Sequence, residues 1–132
     1  MSRRQVIQVP GVKHKAPIPS AVRIGNLLFS SAINGRDPDT DELPEGAGAQ
    51  VELAFRNMAA LVGAAGGTVA DIAHVTVFLR DRADRRHVDE QWLAMFPDPT
   101  DRPARHALPL DRAGGTLVQL EIVAVLEDGG RP

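Results

Sequence analysis

Between residues 47 and 81 the spacing of apolar side chains changes once, and that change limits the available folds more than any other feature. From about Ala47 to Ala65, Val51, Phe55, Met58 and Val62 recur at spacings of four, three and four, with Ala54, Leu61 and Ala65 widening the stripe. This is the pattern of an amphipathic helix. Gly66-Gly67 ends it as a C-cap. The stretch "IAHVTVFLRD" (72 to 81) then alternates, with Ala73, Val75, Val77 and Leu79 on one face and His74, Thr76 and Phe78 on the other. Its β-branched content marks a strand.

Shorter signals fill in the rest. "QVIQV" (5 to 9), stopped by Pro10-Gly11, is an edge strand. "AVRIGNLLFSSA" (21 to 32) is a hairpin around Gly25-Asn26. "NGRDPDTDELPEG" (34 to 46), dense in Gly, Pro and Asp, is a surface loop. A second helix runs from about Arg85 to Phe96 after Asp84 as N-cap, places Val88, Trp92, Met95 and Phe96 on one side, and stops at Pro97. "ARHALPL", a Gly114-Gly115 turn and "TLVQLEIVAVLE" (116 to 127) add two strands. The order β, hairpin, α, β, α, β, β predicts an α+β fold with helices on one face of a mixed sheet. The other face carries Val123 and Val125 beside Gln119 and Glu121, so a second chain is expected to cover it.

Composition narrows the chemistry. A length of 132 residues suits one domain spanning residues 1–132. With no cysteine, disulfides, zinc–thiolate sites and cysteine nucleophiles are excluded. The histidines at 14, 74, 87 and 106 lack metal-ligand spacing, so no metal is expected. A net charge of -2 argues against nucleic acid, and "RDRADRR" (80 to 86), with its interleaved aspartates, is a solvated turn. No apolar run approaches a membrane span, so a cytoplasmic protein is expected. Ser30-Ser31 lacks the frame of a nucleophile elbow, and "GAAGGT" (63 to 68) lacks the lysine of a P-loop.

Two charges remain inside apolar strands, Arg105 in "RPARHALPL" and Glu121 in "LVQLEIVAV". A buried charge without a partner costs several kcal/mol. Either the two pair with each other or lie at a sheet edge, or they line a small acid-binding cleft, where the guanidinium fork grips a carboxylate and the glutamate holds a water. His106 points away from Arg105 by strand alternation.

The stretches "APIPSAVRIGNLLFSSA", "NMAALVGAAGGTVADIAHVTVFLRD", "VDEQWLAMFPD" and "RPARHALPL...LVQLEIVAV", over about residues 16 to 126, together resemble the Rid family of reactive intermediate deaminases, also called the YjgF family. Residues 57 to 79 match its helix-to-strand signature. The resemblance implies a chorismate-mutase-like fold and a homotrimer with a cleft between each pair of subunits. It also implies hydrolysis of enamines and imines of 2-keto acids to the keto acid and ammonia, without a cofactor. Arg105 falls on the family's substrate-carboxylate arginine and Glu121 on its water-associated glutamate.

Departures from the family pattern make the chain an atypical member. Ile18 in "APIPS" stands where the deaminases carry tyrosine, Ser31-Ala32-Ile33 replaces Ser-Gly-Gln, and Ala107 replaces a cysteine. Ile18, Ala32, Ile33 and Ala107 are thus expected at the substrate, in a tighter, more apolar cleft suited to longer imino acids. Asp89-Glu90 matches a family Asn-Glu pair in part and is explained by a solvated helix face or a subunit contact. Two alternatives stand beside the deaminase: a non-catalytic trimeric carboxylate-binding protein of the same fold, and a ribonuclease or translation inhibitor.

Overall fold

Every strand read from the periodicity enters one mixed sheet. The computed structural model describes residues 3–112 and 114–127. Along the chain come β1 (Gln5–Ile7), β2 (Ala21–Ile24), β3 (Leu27–Ser30), β4 (Ile33–Asn34), α1 (Ala47–Ala64), β5 (Ile72–Leu79), α2 (Arg85–Met95), β6 (Ala104–Pro109) and β7 (Val118–Val125). Across the sheet the order is β1-β2-β3-β7-β5-β6, with the two-residue β4 also pairing to β7. All pairings are antiparallel except β5 with β6. A parallel neighbour needs a crossover connection, and α2 supplies it.

Local sequence explains the element ends. Gly25, with φ of 61°, lets β2 turn into β3 in two residues, Ile24 pairing with Leu27. The C-cap expected at Gly66-Gly67 is a Schellman motif: the Gly67 amide donates to the Val62 carbonyl and the Gly66 amide to the Gly63 carbonyl, each at 3.0 Å, with Gly66 at φ +93°. At α2 the expected capping by Asp84 is corrected. A single 3-10 turn, Arg82–Asp84, runs directly into the helix, so Asp84 already has helical backbone angles and makes no side-chain cap bond. Asp81 caps instead, accepting from the Ala83 amide at 2.9 Å.

The core lies between the helices and one sheet face. α1 buries Val51, Ala54, Phe55, Met58, Leu61 and Val62, the expected stripe, against Leu28, Val75, Val77, Leu120, Ile122 and Ala124 of the sheet. The alternation of β5 holds from Val75 onward. A bulge between Ile72 and His74 sends Ile72 inward and leaves Ala73 exposed, against expectation.

Two buried amides tie loops to this core. Gln50 donates to the Pro44 and Gly115 carbonyls and accepts from the Leu117 amide, each at 2.9 Å. Asn57 donates to the carbonyls of Asn34 and Arg36 at 3.0 and 2.9 Å. They supply partners that the sheet ladder cannot give to these backbone groups.

The opposite sheet face carries no helix among the described residues. Val6, Leu27, Phe29 and Val125 stand on it between 39% and 57% exposed. No helix among the described residues is long and apolar enough to cross a membrane.

Candidate functional site

Arg105 lies on β6, the edge strand of the sheet. It pairs with Val75, which pairs in turn with Ile122. Residues in such a row share a face, and Val75 and Ile122 are buried in the core, so the Arg105 side chain lies on the helix-covered side, where α2 passes. There its Nη2 donates to Asp89 Oδ1 at 2.7 Å, and its Cζ lies 4.9 Å from the centre of the Trp92 ring. Trp92 is fixed by burial and by an edge-on contact with Phe96, ring centres 4.9 Å apart. Arg105 Nη1 is buried and has no hydrogen-bond acceptor among the described residues.

Asp89, expected on a solvated helix face or at a subunit contact, is indeed partly exposed, but it also has a partner within the chain. It is 47% exposed but spends one oxygen on Arg105, which is 24% exposed. The usable signal was its place on the helix. Asp89 follows the inward-facing Val88 and precedes Trp92 by three positions, at the edge of the buried stripe.

Glu121 belongs to the other face. It pairs with Thr76, which pairs with His106, so His106, Thr76 and Glu121 form one row on the helix-free side. The expectation that His106 points away from Arg105 holds. Within one chain a direct Arg105–Glu121 ion pair is excluded, because the two rows point to opposite faces of the sheet.

The remaining candidates gather near Glu121 rather than Arg105, with Ala107 the exception. Ile33 pairs with Leu120, and Ser30 Oγ accepts from the Ile122 amide at 2.9 Å. Ala32 therefore runs alongside Glu121. The Ile18 loop is brought to the same segment: Ser31 Oγ donates to the Pro19 carbonyl at 2.8 Å, and the Ser31 amide to the Ser20 carbonyl at 2.9 Å. Ile18 is exposed. Ile33 is not; with no accessible surface, its side chain is a core residue, and its expected contact with a ligand is corrected. Its partner Leu120 is equally buried, so the branched chain fills the helix–sheet interior.

Ala107 is exposed on β6, two residues beyond Arg105 on the same strand face. It lines an open depression of about 770 Å³ with Leu108, Pro109, Arg82 and Arg85, which Arg105 itself does not line. The turn "RDRADRR" is thus partly a pocket rim. Arg80 is occupied there, donating to the Gly114 carbonyl at 2.7 Å and to the Arg112 carbonyl.

Comparison with known proteins agrees with this architecture. A family model described as Endoribonuclease L-PSP matches residues 12–127. The chain is 32% identical over 111 residues to the 2-iminobutanoate/2-iminopropanoate deaminase of Escherichia coli, covering 83% of this chain and 87% of that protein. It superposes on RidA from the Antarctic bacterium Psychrobacter with a TM-score of 0.85 at 34% identity, over 93% of this chain and 100% of that one. Escherichia coli TdcF with bound serine gives a TM-score of 0.84 at 27% identity, over 93% and 99% of the two chains. A mixed sheet with both helices on one face, matched to this family over nearly its whole length, makes the chain a member of the Rid family, also known as YjgF or RutC.

Proposed function

We propose that the protein hydrolyses 2-imino acids to 2-keto acids and ammonium, at sites built between the subunits of a homotrimer. The observation that carries this reading is the Arg105 guanidinium, held at a sheet edge with one donor unmet. A small carboxylate fits such a donor, and in a dry cleft the contact is charge-assisted. The names of the relatives supply the reaction class, and the serine bound to TdcF supports a ligand of amino-acid size.

The division of the candidates argues for a shared site. Arg105 and Ala107 stand on β6, whereas Glu121, Ala32 and the Ile18 loop stand around β7 on the other side of the sheet. One chain cannot close these sets around a small molecule. A neighbour that covers the apolar open face brings its own Glu121 group to the β6 edge.

In that site Arg105 fixes the substrate carboxylate and the neighbour's Glu121 orients a water. The water adds to C2 of the protonated imine, forming a carbinolamine. The C–N bond then breaks, so that one water is consumed and one keto acid and one ammonium ion leave. A protonated imine carbon is already electrophilic, so the step asks for no metal; positioning and charge complementarity supply the rate. Ile18, exposed on the loop whose Pro19 and Ser20 carbonyls bond to Ser31, favours bulky apolar side chains on the substrate.

The test is release of ammonia and keto acid from freshly generated 2-imino acids, short and bulky. Arg105→Ala and Glu121→Ala are each expected to lose about a hundredfold or more, the scale set by a lost charge-assisted contact. Reassembled together, the two inactive variants should regain about a quarter of wild-type activity, the share of interfaces joining an intact arginine to an intact glutamate. Absence of turnover in wild type, with carboxylates still bound, would make the protein a carboxylate-binding member of the family. Equal turnover of short and bulky substrates would remove the role given to Ile18.

A further inference from the structure

We propose that Asp89 is the second charge of the ligand site, so that Arg105 and Asp89 together read a carboxylate next to a protonated nitrogen rather than a carboxylate alone. This rests on the proposal that imino acids bind at Arg105, and names the form of substrate that is bound.

The ion pair is incomplete on both sides. Asp89 gives one oxygen to Arg105 at 2.7 Å, while its second oxygen has no partner among the described residues, and the side chain is 47% exposed. Arg105 uses Nη2 on Asp89, while Nη1 lacks an acceptor. An acceptor and a donor therefore remain unmet on two side chains already in contact. Leaving the buried donor unmet is costly, so the resting pair is poised to accept a partner with the inverse arrangement of charges. Such a partner is a 2-iminium acid, whose carboxylate and nitrogen sit on neighbouring carbons. Its carboxylate would satisfy Nη1 after a small turn of the quarter-exposed guanidinium, and its N–H would donate to the free oxygen of Asp89.

The same pairing works against a plain carboxylate. Asp89 neutralises Arg105, so a second anion meets no net positive charge and gains nothing at the aspartate. Recognition then falls on the protonated imine, the form a water attacks most readily. Trp92 beneath the guanidinium holds the pair in place.

The experiment uses L-alanine and propanoate, which differ by one ammonium group, titrated into the intact wild-type protein and followed by calorimetry. Trp92, the only tryptophan of the chain and 4.9 Å from Arg105, supplies an independent fluorescence signal. Wild type is expected to prefer alanine. Asp89→Asn, which keeps a hydrogen-bond acceptor for Arg105 but removes the charge, should lower that preference about tenfold or more, and Asp89→Glu should restore part of it. An unchanged ratio, parallel tightening of both ligands in Asp89→Asn, or no preference in wild type would each overturn the proposal. Failure of imine hydrolysis with the alanine preference intact would remove the deaminase reading and leave the role of Asp89 standing.

Discussion

At the scale of single residues, close approach and local hydrogen bonding decide the outcome. Gly35 packs against the backbone of Gln50, and a Cβ there would overlap the Gln50 carbonyl. Backbone cannot swing aside as a side chain can, so Gly35→Ala is expected to destabilise by about 3 kcal/mol, the upper end of overpacking costs, measurable by denaturant unfolding. Asp98 accepts from the Thr100 amide at 2.9 Å and from its hydroxyl at 2.8 Å, and these bonds hold its carboxyl below the usual range. A carboxyl depressed in the folded state stabilises above its unfolded value and loses that contribution as pH falls through its folded value. Thr100→Ala should move the Asp98 titration upward, towards the ordinary carboxylate value, in an NMR pH series. Arg105 stood out in the sequence as a charge within an apolar alternation. Its partner did not, because the aspartate lies sixteen positions away on another element.

At the scale of elements, the helices and strands follow from periodicity, whereas the joints between them depend on side chains reaching far along the chain. Gln50 is the clearest case. Its amide joins the loop before α1 to the segment entering β7, and all three of its bonds are to backbone. Gln50→Leu should cost about 2–3 kcal/mol, since the Leu117 amide and two carbonyls lose their partner at a buried position. Hydrogen exchange at the Leu117 amide should accelerate markedly in that variant, and unchanged protection there would show that other groups hold the joint. Polar residues inside an apolar stripe, as Gln50 and Asn57 are, carry this kind of information. Their targets are legible only once the loops are placed.

For the whole molecule, the open sheet face is the dominant fact. Leu27, Phe29, Val123 and Val125 adjoin one another across β3 and β7, and so large an apolar surface is rarely left in water. Phe29→Glu should leave the helix–sheet core intact, since the side chain points away from it, yet yield a monomer in analytical ultracentrifugation, where wild type is expected to sediment as the proposed trimer. A folded variant that still assembles would place the interface elsewhere. Because the proposed site is shared, this monomer should also lose imine turnover, although its Arg105 and Glu121 remain in place.

Repetition along the chain sufficed for the α+β class, both helices, the unpaired apolar face and every strand except the two-residue β4, because burial imposes periods of 3.6 and 2 directly on the order of residues. The family could be read because the motifs that resemble it are continuous stretches. Tertiary structure alone decided that Arg105 faces α2 and meets Asp89, that Glu121 leaves by the opposite face, and that Ile33 belongs to the core. These depend on strand order and register, which are set by contacts between residues distant in the chain and leave no periodic trace in any one segment.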